Sequence, residues 1–286
     1  MPPSEYVANT ERTRTKGMPI ASFRHVLDPQ TQDFYRRIMQ ALTEREVPFL
    51  VCGAYALRHH TGIARQTKDL DLFVKREDIE RALQVLEKAG FRTELAFSHW
   101  LAKVYDDHSE EFIDIIFSSG NGVATVDDDF FDHAPHGTCF DTPIRWCPVE
   151  EMVWSKAFVM ERERFDGADV AHLLHACSAS LDWQRLLERF GEHWRVLFAH
   201  VVLFGFIYPN ERDLIPVWVV EELSERLRRE ATTREEVGPV CGGTLISRQQ
   251  FLVDICDHGY LDARVTTGAM TETEVQDWTA AIAQKE

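Results

Sequence analysis

The sequence predicts an α+β fold in which a mixed β-sheet is covered by helices and followed by an all-helical C-terminal domain. Over residues 29–117, segments with apolar residues at helical spacing alternate with short apolar segments typical of strands. Beyond residue 147, helical spacing recurs in one segment after another. We therefore expect a flexible tail over residues 1–20, a sheet domain over 21–147 and a helical domain over 148–286.

The first elements follow from the spacing of apolar residues. An amphipathic helix is predicted from Pro29 to about Arg45, and Pro48 then prevents its continuation. Residues 49–52 (Phe-Leu-Val-Cys) predict a short buried strand, and a helix is expected from Gly53 to about residue 60. A second strand is predicted over residues 69–74.

The later elements are predicted in the same way. A helix over residues 79–89 is stopped by Gly90, and three further strands are expected over 91–97, 100–105 and 111–117. Helices are predicted over residues 149–160, 167–176, 182–189, 192–206, 217–229 and 247–258. Residues 196–208 are too few to span a bilayer, so we expect a buried helix there, and we expect the stretch from residue 271 to be polar and peripheral.

Composition limits the classes of function. Hydrophobic residues make up 44% and charged residues 27% of the 286 residues, as in ordinary globular proteins. The formal net charge of −16 opposes broad binding to a nucleic-acid backbone, although a local basic groove remains compatible with it. The six Cys residues lack zinc-ligand spacing, and the N-terminus does not resemble a signal peptide. We therefore expect a cytoplasmic protein with reduced cysteines and no membrane association.

Three isolated carboxylates lie in predicted strands. Asp69 and Asp71 flank Leu70, and alternation along a strand places both carboxylates on one face. Asp114 is the single charge in residues 112–117 (Phe-Ile-Asp-Ile-Ile-Phe). Like charges on one face repel unless a cation lies between them, and oxygen ligands suit a hard divalent cation. The alternative is that these residues are solvated at the edge of the sheet.

A glycine separates the first strand from the helix that follows it. A small residue at this point lets phosphate oxygens approach the backbone N–H groups of a helix N-terminus. Gly53 and Ala54 therefore form a candidate phosphate cradle. Close packing between the helix and the sheet would require a glycine equally well.

Together, the glycine turn, the Asp-hydrophobic-Asp segment and the later strand Asp resemble the polymerase β-type nucleotidyltransferase superfamily. More closely, residues 53–57 (Gly-Ala-Tyr-Ala-Leu) and 65–71 (Arg-Gln-Thr-Lys-Asp-Leu-Asp) are similar to the AbiEii-like toxins of type IV toxin–antitoxin systems. The resemblance covers about residues 30–174. It implies the fold, a divalent metal pair and transfer of a nucleoside monophosphate from an NTP to an acceptor.

The resemblance also implies roles for the carboxylates. Asp69 and Asp71 would hold Mg²⁺ (or Mn²⁺) and the triphosphate. Asp114, the third expected metal ligand, would deprotonate or position the acceptor hydroxyl. Ala54 departs from the Gly or Ser usual in the superfamily, so only its backbone N–H would contact phosphate.

Basic residues near these carboxylates are candidates for binding the nucleotide. Arg65 and Lys68 precede the Asp pair and are suited to neutralise phosphate charge, but a solvated basic loop is an equal alternative for Arg65. Thr67 occupies a position where the family carries Ser or Thr, and we expect it to order the loop.

A second cluster of charges in the helical part extends the resemblance. Lys156 is followed by an Arg-containing turn and by Asp166 and Asp169, as in the abortive-infection toxins. Either Lys156 reaches a phosphate beside the carboxylates, or Lys156 and Arg164 pair with the two Asp residues and hold two helices together. We favour function for Lys156 and Asp169, and we expect Arg162 to pair with Asp166 at the i, i+4 spacing.

The sequence thus predicts metal-dependent nucleotidyl transfer to an acceptor that stays open. The superfamily uses tRNA 3′ ends, protein hydroxyls and small molecules, and the acidic composition favours the last two. The resemblance to toxins implies a cognate antitoxin as a partner. The alternative is a catalytically silent module of the same fold that binds a nucleotide or a protein partner.

Overall fold

The computed structural model describes residues 28–64, 69–106, 111–233 and 238–283. The tail predicted over residues 1–20 lies outside this range. Within it, the predicted fold class is confirmed, since a mixed sheet with helices around it is followed by a helical region. The strands of the described residues are β1 Leu50–Val51, β2 Leu70–Phe73, β3 Arg92–Phe97, β4 Leu101–Tyr105, β5 Phe112–Ile116, β6 His136–Cys139, β7 Thr142–Arg145, β8 Val240–Cys241 and β9 Leu261–Asp262.

Helices make up most of the remaining described structure. They are α1 Pro29–Glu44, α2 Gly53–Thr61, α3 Ile79–Lys88, α4 Asp128–Asp132, α5 Val149–Ala157, α6 Gly167–Cys177, α7 Trp183–Phe190, α8 Trp194–Ile207, α9 Val217–Thr232, α10 Leu252–Cys256, α11 Ala263–Thr266 and α12 Glu272–Ala283. Asp28 caps α1 by accepting hydrogen bonds from the backbone N–H groups of residues 30 and 31.

Five strands form the central sheet in the order β1-β2-β5-β4-β3. β2 and β5 are parallel, and the other neighbours are antiparallel. After β2 the chain passes through α3, forms the β3–β4 hairpin and returns as β5 beside β2. This path places two strands that are distant in sequence next to each other at the centre of the sheet.

The two faces of the sheet differ in chemistry. Leu70 and Leu72 of β2 are fully buried on one face, in the same hydrophobic core as residues of α1 and α3. Phe73, on the opposite face, lies against Phe130 of α4 with ring centroids 5.6 Å apart, and Phe130 in turn contacts Trp154 of α5. The carboxylates of β2 and β5 lie one pleat further along this second face, beside its apolar part.

The helical region packs against α2. The imidazole of His60, in the last turn of α2, lies 2.8 Å from the carbonyl oxygen of Cys147, and the Cys177 thiol of α6 donates to the carbonyl of His60. The interface between α5 and α7 carries the buried Glu151, which pairs with Arg185 and Arg189. The helical region therefore fixes the C-terminal turn of α2.

The expectation of a buried helix over residues 196–208 is only half right. Leu197, Val201 and Phe204 of α8 are buried, but the other face of the helix is exposed, with Phe206 83% accessible. Within the described residues, the stretch Trp183–Ile207 has the length and apolar content of a membrane span. Core helices of soluble proteins meet the same criterion, so this observation is weak.

The C-terminal stretch differs from the sequence prediction. α10 covers only Leu252–Cys256, and the residues from 272 form α12 instead of a peripheral segment. Trp278 of α12 packs between Phe97 and Trp100, with ring centroids 4.9 and 5.2 Å away. This aromatic residue therefore anchors α12 on the end of β3 and the β3–β4 turn.

Candidate active site

A row of charged side chains crosses the second face of the central sheet. Asp71 of β2 is the register partner of Asp114 of β5, and Asp114 is the partner of Lys103 of β4. Register partners on adjacent strands point to the same face. The prediction that Asp71 and Asp114 meet on one face therefore agrees with the geometry, and Asp69 lies half-buried just before β2.

Gly53 begins α2 directly against this row. A Cβ atom at residue 53 would lie 1.7 Å from Asp71 Oδ2, and the residue has a positive φ of 58°. Both features require glycine here. The backbone also joins the two segments, because the N–H of Cys52 donates to the carbonyl of Asp71 at 2.9 Å.

The N-terminus of α2 has unused donors. No side chain caps it within the described residues, and the first N–H group that bonds back into this turn belongs to Ala56. Gly53 and Ala54 therefore present free backbone N–H groups at the positive end of a nine-residue helix. This arrangement suits a phosphate group beside the carboxylates.

The electrostatics of Asp71 are unfavourable. Burial, the Asp114 carboxylate and, less strongly, the Asp69 carboxylate together raise the pKa of Asp71 to about 7, although Lys156 and Arg164 act in the opposite direction. The carboxylates are thus close enough to repel one another, and the charges of Lys156 and Arg164 do not outweigh burial and this repulsion.

Lys103 is a site residue that we did not predict. Its ammonium group lies 2.7 Å from Asp114 Oδ1 and 3.9 Å from the centre of the Phe112 ring. The side chains of Lys103 and Asp114 are 24% and 20% exposed, so the row is partly open to solvent. The signal in the sequence was one lysine at an alternate position of the apolar strand 101–105.

The second charge cluster is internally paired. Lys156 Nζ lies 2.8 Å from Asp169 Oδ2 and 3.2 Å from Asp166 Oδ2, and Arg164 binds Asp166 through two hydrogen bonds of 2.9 Å. Burial favours neutral groups, but the two carboxylates outweigh it and raise the pKa of Lys156. This geometry matches the interpretation in which the cluster holds α5 and α6 together.

The expected pair between Arg162 and Asp166 is wrong. Arg162 is largely exposed and lies 3.9 Å from Glu163. The i, i+4 spacing brings side chains together only within a helix, and residues 162–166 lie between the end of α5 and the start of α6. In this turn Arg164 reaches Asp166 instead.

The carboxylates fit a hard divalent cation by their chemistry. Among the described residues, no group of three or more His, Cys, Asp or Glu side chains has the spacing of a ready-made metal cage. Mg²⁺ does not require one, because it is commonly held by one or two carboxylates together with substrate phosphates and water. Asp69 and Asp71 supply such a pair, beside the free N–H groups of α2.

Other expectations for the site are not addressed by the structure. Arg65, Thr67 and Lys68 lie outside the described residues.

Two cavities, of about 520 and 440 Å³, are lined by residues of α7 and α9 and by residues around the His59–His60 pair, away from the sheet carboxylates. The carboxylate of Asp114 is nevertheless partly accessible to solvent, with its side chain 20% exposed.

Comparison with protein families decides the classification. The family described as "Uncharacterised nucleotidyltransferase" matches residues 30–203, which is more than half of the chain. The chain belongs to this family. The match confirms the prediction that the protein is a nucleotidyltransferase, and it spans both the sheet carboxylates and the Lys156 cluster.

Comparisons with individual proteins are more distant. No curated protein matches the sequence. The antibiotic-resistance factor ANT(2″)-Ia is 18% identical over 61% of this chain and 98% of its own, with a TM-score of 0.41. The lincomycin-bound lincosamide antibiotic adenylyltransferase LnuA is 16% identical over 50% and 95%, with a TM-score of 0.35. A putative nucleotidyltransferase from Helicobacter pylori is 12% identical over 91% and 99%, with a TM-score of 0.35.

Proposed function

We propose that this nucleotidyltransferase moves a nucleoside monophosphate from an NTP to a hydroxyl acceptor with the help of a divalent cation. In the reaction, a bond forms between the acceptor oxygen and the α-phosphorus, and the bond to the β-phosphate oxygen breaks. Pyrophosphate leaves, and the acceptor gives up its hydroxyl proton. The site must therefore bind a triphosphate, hold a cation and direct a hydroxyl group at the α-phosphate.

One observation carries this proposal: the carboxylate of Asp71 lies against the α-carbon of Gly53. This contact joins a surplus of negative charge, which attracts a cation, to a helix N-terminus, which attracts an anion. A metal–triphosphate complex satisfies both at once. A free phosphate or a free cation would satisfy only one of them.

The three carboxylates and the N-terminus of α2 have different proposed roles. Asp69 and Asp71 would hold Mg²⁺ or Mn²⁺, which offsets charge on the triphosphate and on the leaving pyrophosphate. The N–H groups of Gly53 and Ala54 bind phosphate oxygens. Asp114 positions the acceptor hydroxyl and accepts its proton.

Basic residues would support nucleotide binding. Arg65 neutralises phosphate charge and Thr67 orders the segment that leads into β2. Lys156 acts from the neighbouring cluster, because its charge reaches Asp71 and partly opposes the rise in the pKa of that residue. Asp166 and Asp169 support it by fixing its position.

The acceptor is proposed to be a small molecule or a protein hydroxyl. The net charge of −16 disfavours a long RNA, while the short 3′ end of a tRNA remains an alternative to be tested. The similarity of residues 53–57 and 65–71 to AbiEii-like toxins supports a further proposal, namely a cytoplasmic toxin with a cognate antitoxin as its partner.

The proposal is tested by incubating the protein with α-³²P-labelled ATP, GTP, CTP or UTP and Mg²⁺ or Mn²⁺. Each mixture is run alone, with bulk tRNA, with a cell extract that supplies protein acceptors, and with its small-molecule fraction. We expect label to be transferred in at least one mixture and to disappear in Asp69→Asn. Asp33→Asn, which changes an exposed carboxylate of α1, is the matched control and should transfer label normally.

Two results would contradict the proposal. Transfer that persists in Asp69→Asn would show that the carboxylates do not hold the required cation. Nucleotide binding without transfer in every mixture would favour the alternative, a catalytically silent binding module of the same fold.

A further inference from the structure

Lys103 is held from two sides within the row of carboxylates. Its ammonium group bonds Asp114 Oδ1 at 2.7 Å and lies 3.9 Å from the centre of the Phe112 ring. The register of β4 and β5 fixes both contacts, since Lys103 pairs with Asp114 and the strands run antiparallel. The lysine is therefore placed by the sheet itself.

Two other cations of the described residues, those of the helical cluster, already form ion pairs. Lys156 binds Asp166 and Asp169, and Arg164 binds Asp166. Among the described residues, Lys103 is the one cation seen to bond directly to a carboxylate of the sheet row. Within the part of the chain that the structure describes, Asp71, its neighbour on β2, forms no ion pair with a lysine or arginine, whereas Asp114 does. The two carboxylates of the row thus differ in what neutralises them.

We propose that Lys103 is a positioning residue that takes the place of a metal ion at Asp114, so that Asp69 and Asp71 alone hold the cation. This inference rests on the proposed function. The lysine occupies Oδ1 of Asp114, and in this proposal the other oxygen accepts a hydrogen bond from the acceptor hydroxyl. A carboxylate engaged in this way is a poor ligand for a second cation, because the lysine repels the metal and competes for the same oxygen.

The ion pair also bears on whether Asp114 can share a metal ion with the other two carboxylates. A third carboxylate that shared the metal would need to turn toward Asp71. The ion pair with Lys103 instead holds Asp114 toward β4. The proposal thus revises the expectation that all three carboxylates are metal ligands.

The test is a titration with Mn²⁺, followed by electron paramagnetic resonance, in the presence of an α,β-methylene NTP that cannot be transferred. We expect Asp114→Asn to bind Mn²⁺ within about twofold of the native protein, because the metal is held elsewhere. Asp71→Asn should lose at least tenfold in affinity. Lys103→Met should bind Mn²⁺ about five- to tenfold more tightly, since one positive charge near the metal is removed.

A double variant separates this role from general structural support. In Lys103→Met/Asp114→Asn, the gain in Mn²⁺ affinity should vanish, because the carboxylate freed by the first change is removed by the second. Lys103→Arg, which keeps the charge, should retain native affinity. Lys75→Met removes a lysine that pairs with Glu77 and Asp128 instead, and it should leave Mn²⁺ binding unchanged.

The outcomes are distinct. If Asp114→Asn loses Mn²⁺ as completely as Asp71→Asn, or if Lys103→Met binds as the native protein does, the role of Lys103 is overturned while the proposed function stands. If the native protein binds no Mn²⁺ with the nucleotide, or Asp71→Asn still binds it normally, the proposed function fails as well. Thermal unfolding of each variant shows whether it is folded.

Discussion

Two groups of carboxylates lie close together in this protein and are neutralised in opposite ways. Asp166 on the helical side is bonded to Arg164 and Lys156, and these partners outweigh burial and lower its pKa. Asp71 on the sheet is half-buried, and its loss of hydration together with its carboxylate neighbours raises its pKa to about 7. The same chemical group is thus stabilised in one place and destabilised a short distance away.

This difference indicates which group has a structural role and which a functional one. An ion pair that is complete within the chain contributes to holding the helices together and needs no ligand. Carboxylates that are left to repel one another cost folding free energy, and this cost is recovered when a cation binds. Charge repulsion that the folded chain leaves uncompensated, with the pKa shift that it causes, is typical of functional sites.

The largest expected effect is on activity at the sheet group. Asp71→Asn should lower nucleotidyl transfer by about 10³-fold or more, because several kcal/mol of metal-assisted charge stabilisation is lost. The rate of label transfer from NTP measures it. Since the variant removes a repulsive charge, it should fold at least as stably as the native protein at pH 8. A loss of both folding and activity would mean that Asp71 has a structural role.

In the helical group, the main expected effect of a substitution is on the free energy of unfolding. Lys156→Met removes the buried ammonium group that pairs with Asp169 and Asp166, and the free energy of unfolding should fall by about 3 kcal/mol, as for other broken buried pairs. Urea denaturation measures this change. Arg195→Met removes an exposed cation that pairs with Glu230 and is the control, with an expected change below about 0.5 kcal/mol. Equal losses of unfolding free energy in Lys156→Met and Arg195→Met would show that burial does not make one ion pair more stabilising than the other.

The two groups should also respond oppositely to pH in the metal-free protein. The raised pKa of Asp71 means that the folded state binds its proton more tightly than the unfolded state, so this contribution to stability is full below about pH 4 and lost as pH rises through about 7. Asp71→Asn should therefore gain stability relative to the native protein as pH rises over this range, by at most about 4 kcal/mol.

Asp166→Asn supplies the opposite case. The lowered pKa of Asp166 gives stability that is present above pH 4 and lost as pH falls below it. The variant should accordingly be less stable than the native protein at pH 7, with the deficit shrinking toward pH 3. Urea denaturation at each pH measures both variants. If stability relative to the native protein changed with pH in the same direction in both variants, the two carboxylate groups would not differ as described.

The smallest expected effect concerns the turn before α6 and tests which arginine pairs with Asp166. Arg164→Ala should cost about 1–2 kcal/mol of unfolding free energy, because the bidentate bond to Asp166 is lost. Arg162→Ala should change it by less than about 0.5 kcal/mol, since that side chain is exposed. Thermal unfolding measured side by side distinguishes them. A larger effect at Arg162 would contradict the geometry of this turn.

The sheet group was largely predictable from sequence because its signals are local. Charges within an apolar strand and a glycine between a strand and a helix are visible within a few residues of Asp71 and Gly53. The contact of Asp71 with Asp114 was expected from the resemblance. The register that creates it depends on β5 returning beside β2 after the β3–β4 hairpin.

The rest depends on contacts between distant segments or on local geometry that spacing does not reveal. Lys103 acquires its role only through the pairing of β4 with β5. Trp278 docks on Phe97 across most of the chain length. Arg162 was chosen by helical spacing in a segment that turns out not to be helical, so the wrong arginine was paired with Asp166.

The central claim is that the sheet carboxylates, and not the helical ones, are the binding site for a metal–triphosphate complex. The most direct test is calorimetric titration of Mg²⁺ with an α,β-methylene NTP into three folded proteins: native, Asp71→Asn and Asp169→Asn. We expect binding to the native protein, weakening of at most about fivefold in Asp169→Asn, and no binding to Asp71→Asn. Undiminished binding to Asp71→Asn would contradict the account.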